Sequence, residues 1–160
     1  MKNKIIYLSL IFSLIAGCSS NDVKDKNAND VNGYPKSEEV LHVTLDSFFK
    51  IYKETGSVKA VDFIFGSDSG ATPEQLNELK DRLAKLALVA GNFEGYESIT
   101  QQRIGKSLVY YSYLVKHDIQ PIRFIFIFYK AKDKWRIYKF KFDDEVDTEL
   151  EEAGKLYFVK

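Results

Sequence analysis

The spacing of the hydrophobic residues changes at Gly91, and this change limits the fold more than any other feature of the chain. Before Gly91, apolar residues recur every three or four positions, which is the spacing of helices with one buried face. After it, apolar and polar residues alternate, which is the spacing of strands. Helices followed by strands predict an α+β domain in which the helices pack on an antiparallel sheet.

Three helices are expected in the first part. The first runs over residues 37–53, with Ser37 as its cap and a stripe formed by Leu41, Leu45, Phe48, Phe49 and Tyr52. A shorter helix follows, with Ser57 as its cap. The third begins at Thr72-Pro73-Glu74-Gln75, which combines a capping residue, a proline at the first helical position and a capping-box glutamine.

Four strands of a curled sheet are expected after Gly91, over residues 96–104, 107–116, 122–131 and 135–142. If Lys132-Asp133 forms a tight turn, two apolar faces result. One face consists of Ile125, Ile127, Tyr138, Phe140 and Phe142. The other consists of Phe124, Phe126, Phe128, Trp135 and Ile137. Because the helices can cover only one face, we expect the Phe124 face to be covered by a second copy of the chain, or otherwise by the C-terminal segment.

This order of elements resembles the nuclear transport factor two superfamily, a cystatin-like cone shared by ketosteroid isomerase and scytalone dehydratase. The resemblance covers residues 40–142, and its most specific patch is PIRFIFIFYK at 121–130 followed by KWRIY at 134–138. It implies a pocket between the helices and the concave sheet face, and an outer face available for a homodimer. Bacterial lipoproteins with this strand pair are common in the superfamily, so the resemblance supports the fold better than any one function.

Enzymes with this fold place polar residues in the pocket, and four residues are the candidates here. Tyr110 and Tyr111 offer hydroxyls that can orient a ligand. Arg123 can bind a carboxylate or simply mark a strand end. Asp62 is either a surface charge or a general base facing one of the tyrosines, as isomerase chemistry would require.

Two histidines complete the set of titratable candidates. His42 is either a general base or a partly buried structural residue, and His117 lies in a turn where solvation is expected. No spacing assembles a nucleophile, a base and an orienting group, so no catalytic residue, metal site or cofactor is predicted. Two classes of function remain open: a non-catalytic binding or interaction module, and a small isomerase- or dehydratase-like enzyme.

The amino-terminal residues predict export and lipid attachment. Lys2 and Lys4 precede an apolar run over residues 5–15, as in a secretory signal. The stretch ending in Ala16-Gly17-Cys18 resembles a bacterial lipobox, in which the cysteine is acylated after residues 1–17 are removed. Since Ser19, and not an aspartate, follows the cysteine, the resemblance implies an outer-membrane lipoprotein facing the periplasm of a two-membrane host.

The rest of the chain divides by composition. Residues 18–36 are polar and predict a lipidated, disordered tether, 37–142 form the domain, and 143–160 form an acidic extension. Removal of Lys2 and Lys4 leaves 21 basic against 23 acidic residues. This balance argues against a nucleic-acid partner and against an electrostatic membrane patch.

Replacing Cys18 with serine is expected to leave the domain soluble or its precursor unprocessed, because several acyl chains make a stable anchor that the bare chain lacks. Detergent phase separation measures the fraction of the protein that carries the lipid anchor. Partition of the wild-type protein into the aqueous phase would contradict lipid attachment.

Overall fold

The α+β arrangement predicted from the sequence is confirmed. A computed structural model describes residues 36–66 and 70–148, so the predicted signal, the tether up to residue 35 and the end of the acidic extension lie outside the described residues. Three helices come first: α1 (Lys36–Thr55), α2 (Ser57–Phe65) and α3 (Pro73–Ala90). Four strands follow: β1 (Phe93–Ile104), β2 (Leu108–His117), β3 (Ile122–Tyr129) and β4 (Arg136–Asp143). Within these ranges no helix combines the length and apolar character needed to cross a bilayer.

The helix ends follow local chemistry. At the start of α3, the Thr72 hydroxyl accepts from the backbone N–H of Gln75 at 3.3 Å, and the Gln75 amide oxygen accepts from the backbone N–H of Thr72 at 3.0 Å, which confirms the capping box. The prediction of a Ser57 cap was wrong. Gly56 occupies the cap position of α2 with φ 93°, in the left-handed region that favours glycine, and Ser57 is the first helical residue.

The C-terminal end of α3 is tied to the loop between β2 and β3. The backbone N–H of Ile119 donates to the Ala90 carbonyl at 3.0 Å, and the Asp118 carboxylate accepts from both the backbone and the side-chain amide of Asn92. Gly91 has φ 93°, and a Cβ there would overlap the Asp118 carboxylate. Only glycine therefore fits the close approach between this helix end and the loop.

The strands form a meander in the order β1-β2-β3-β4, with antiparallel neighbours throughout. The predicted hairpin register holds next to the turn, where Phe128 pairs with Ile137, and then shifts by one residue. Tyr138 is the extra residue of this bulge and is 67% exposed. The predicted grouping of Phe140 and Phe142 with Ile125 was therefore wrong, because the bulge turns both rings toward Phe124 and Phe126.

Helix α1 closes the sheet face that carries these rings. The Phe48 ring lies 5.0 Å from Phe126 and 5.6 Å from Phe140, measured between centroids. Phe49 stacks on Tyr96 at 3.8 Å and meets Tyr113 edge-on at 5.1 Å. Aromatic pairs of this kind add about 0.5–1.5 kcal/mol each beyond the burial of their area.

Helix α1 thus covers the Phe124 face. The prediction that a second copy of the chain is needed to cover this face was therefore wrong. The opposite face of the sheet carries Ile125 and Ile127 on β3 and Lys139 and Lys141 on β4. Ile125 is buried and both lysines are exposed. A homodimer through the outer sheet face stays a prediction, but the Phe124 face predicted for it is the one that α1 covers.

Phe48→Ala is expected to lower the free energy of unfolding by about 3–5 kcal/mol, because the fully buried ring leaves a cavity between α1 and the sheet. Urea denaturation followed by circular dichroism measures the loss. Leu88→Ala is the control, since Leu88 is 83% exposed on α3. Equal losses in both variants would show that the aromatic contact does not hold the helix to the sheet.

Candidate functional site

An open cleft of about 520 Å³ lies between the first half of α1, the end of α2 and the β3–β4 hairpin. Its floor is apolar and consists of Leu41, Ile64, Phe128 and Ile137. Val40 and Thr44 of α1 form one edge. The volume lies within the range of about 300–1,000 Å³ that is typical of small-molecule sites.

The cleft exists because side-chain size falls along the inner face of α1. The rings of Tyr52, Phe49 and Phe48 fill the middle and far end of the concave sheet face through stacked and edge-on contacts. Nearer the hairpin, the same helix presents Leu41 and Thr44. These side chains are smaller than the rings of Phe48, Phe49 and Tyr52, and the cleft lies beside them.

The hairpin wall is held in place by cation–π contacts and a backbone bond. The Lys130 ammonium lies 4.8 Å from the centroid of the Trp135 ring, and the Arg136 guanidinium lies 5.8 Å from that of Tyr129. The backbone N–H of Lys130 donates to the Ser107 carbonyl at 2.8 Å, which fixes the hairpin to the β1–β2 turn. The loop between β3 and β4 therefore forms a structured wall of the cleft.

The rim of the cleft is mainly cationic. Lys130, Lys134 and Arg136 line it, with Asp133 as the carboxylate among them. An apolar floor with charged groups at one edge suits a ligand that has an apolar body and a polar or anionic group. The arrangement positions and desolvates such a ligand, but it offers no base or nucleophile on the floor.

The structure does not bring the four predicted pocket residues together. Asp62 lies on the exposed side of α2 and forms a 2.9 Å ion pair with Lys80. Tyr110 and Tyr111 point to opposite faces of β2, since neighbours in a strand alternate. Arg123 lies on the face away from α1 and makes two hydrogen bonds of 3.0 Å to the Asp143 carboxylate. All four lie outside the cleft lining.

The two histidines lie among aromatic rings and outside the cleft lining. His42 packs edge-on against Tyr111 with centroids 5.4 Å apart, and burial lowers the pKa of its imidazole. The His117 Nε2 and the Tyr52 hydroxyl lie 3.2 Å apart, and burial lowers the pKa of this imidazole as well. Burial therefore favours the neutral form of both rings. The prediction of a solvated His117 was wrong, because Tyr52 and Phe93 enclose it.

A buried carboxylate was missed by the sequence analysis. Glu38, in the first turn of α1, is only 2% exposed. It forms an ion pair with Arg103 and accepts a hydrogen bond from the Gln101 amide at 3.3 Å. The positive end of the helix dipole also stabilises this carboxylate near the N-terminus of α1. Its partners lie more than sixty residues further along the chain, and no local signal announces them.

The cleft wall was also missed, although the sequence offered a signal. Trp135 is the only tryptophan of the chain and stands within Lys130-Ala131-Lys132-Asp133-Lys134-Trp135-Arg136. A tryptophan among cations at a turn departs from the pattern of a buried strand residue. The sequence pattern predicts Trp135 at the start of the fourth strand, on the face of Phe124, whereas β4 begins at Arg136 and Trp135 lines the cleft.

Three comparisons with known proteins found no match. The chain matches no protein-family model, no curated protein and no solved structure. The likeness to the nuclear transport factor two superfamily stays a prediction based on the sequence pattern and the order of elements. Among the described residues, no group of three or more acidic, histidine or cysteine side chains could hold a metal ion.

Proposed function

We propose that this chain is a lipid-anchored, non-catalytic binding module of the bacterial cell envelope, and that its ligand lies in the cleft between α1 and the β3–β4 hairpin. The observation that carries the proposal is the apolar floor next to a cationic rim. The lipid at Cys18 and the polar tether would hold this cleft close to the outer membrane, facing the periplasm.

The position of Asp62 supports the non-catalytic interpretation. An isomerase-like mechanism needs a carboxylate in an apolar cleft, opposite a hydrogen-bonding acid. Asp62 is exposed and bonded to Lys80 on the neighbouring helix. Neither His42 nor His117 lines the cleft. The enzyme alternative is therefore without its best residue, and no contact of the described residues favours it.

A neutral apolar fluorophore, N-phenyl-1-naphthylamine, is expected to bind in the cleft and to accept excitation energy from Trp135. Because Trp135 is the only tryptophan, selective excitation of tryptophan makes Trp135 the donor, and the two variants below locate the bound probe. Val40→Glu should weaken binding at least about fivefold, since it places a charge at the apolar edge of the cleft.

Val43→Glu is the matched control for this experiment. Val40 and Val43 lie on the same helix and are 55% and 60% exposed, so both variants should fold equally well. Val43 lies outside the cleft lining, and its variant should bind the probe like the wild type. Equal affinity in both variants, or no energy transfer from Trp135, would contradict the proposed site.

A further inference from the structure

We infer that one end of the domain docks on an anionic membrane surface. This basic end is the pair of turns at the close of β1 and β3, and its cations are Arg103, Lys106, Lys130, Lys132, Lys134 and Arg136. Lys130, Lys134 and Arg136 also line the rim of the cleft, whereas Lys106 and Lys132 lie outside it. The inference goes beyond ligand binding, because it does not depend on the apolar floor of the cleft.

The fold brings the cations of two separate segments together. Residues 103–107 and 130–136 are far apart in sequence, but the backbone bond from Lys130 to Ser107 places the two turns side by side. Leu108 also pairs directly with Tyr129 across the β2–β3 ladder. The two segments contain six cations and one carboxylate, that of Asp133.

Most of these charges are available to a partner. Arg103 is paired with Glu38. Among the residues that the structure describes, the other ion pairs use Lys80, Lys116 and Arg123, which lie elsewhere. Lys106, Lys132 and Lys134 are exposed. The basic end therefore presents a positive surface that internal pairing does not neutralise.

Carboxylates gather at the other end of the sheet. Glu94 lies near the start of β1 and Asp118 lies in the β2–β3 loop. The chain leaves β4 through Asp143, which is paired with Arg123, and then through Asp144 and Glu145. Charge is thus separated along the strand direction, although the whole chain is almost neutral. An anionic surface attracts one end and repels the other, and so it would orient the domain.

The predicted tether joins the domain at the same end. In the first turn of α1, Glu38 contacts Arg103 of the basic end, and Val40 lines the cleft beside the hairpin. Residue 36, where α1 begins, is therefore close to the basic end. A lipid attached upstream would raise the local concentration of the surface, and each cation would strengthen membrane binding by roughly fivefold.

The partner that fits is a lipid surface rich in anionic headgroups. The test uses residues 18–160 with Cys18→Ser, which removes the lipid but keeps the core cluster between Leu41 and Phe140. Cosedimentation with phosphatidylglycerol vesicles should show binding that falls as salt rises. Phosphatidylcholine vesicles should show little binding.

Matched double variants locate the surface. Lys106→Glu/Lys132→Glu should reduce binding to the anionic vesicles at least about tenfold, because both side chains project from the basic end. Lys85→Glu/Lys141→Glu makes the same change in net charge at exposed positions on α3 and β4, outside the two turns, and should retain affinity within about twofold.

Three outcomes would overturn the inference: no binding to phosphatidylglycerol vesicles, equal binding to both lipids, or equal loss in the two double variants. Binding of N-phenyl-1-naphthylamine is measured on the same protein variants in the absence of vesicles. Since Lys106 and Lys132 lie outside the cleft lining, the probe should bind the wild type and both variants alike. Failure of vesicle binding is thereby distinguished from failure of the proposed cleft.

Discussion

The contact of Phe48 and Phe49 with the concave sheet face is the interaction on which the rest of the structure depends. Both rings are fully buried and meet aromatic residues of several strands. They fix the position of α1 along the sheet, and with it the position of its first turn at the hairpin end. The residues of α1 that precede these rings are smaller. The contact that closes the core at the rings therefore leaves the cleft open at the N-terminal end of the helix.

Local patterns were sufficient to predict the elements but not their long-range pairing. The capping box at Thr72 and the α1 stripe depend on residues within one or two helical turns, so the sequence displays them directly. The bulge at Tyr138 depends on how β4 meets β3, and the hydrophobic pattern permits either register there. A one-residue error moved Phe140 and Phe142 to the wrong face. For the same reason, the face that α1 covers was expected to need a second copy.

The candidate site was hard to predict because the decisive partners are distant in sequence. Asp62 and Arg123 are each satisfied by a side chain about one element away, Lys80 and Asp143. Both residues were candidates for ligand binding, and each forms an ion pair within the fold instead. The net charge of the chain argues against an electrostatic membrane patch. That prediction misses the basic end, because a sum over the chain cannot show that the fold separates basic from acidic residues. The basic end depends on that separation, and both the basic end and the cleft depend on the hairpin that carries Trp135.

The most direct test of the account is to locate a bound apolar ligand in solution. Backbone amide chemical shifts of the ¹⁵N-labelled chain, residues 18–160 with Cys18→Ser, are followed while N-phenyl-1-naphthylamine is added. The account predicts that the largest shifts fall in residues 40–44 of α1, at Ile64, and in residues 128–137 around the hairpin. Shifts centred instead on the outer sheet face around Ile125, or on the Tyr52 and His117 end, would contradict it.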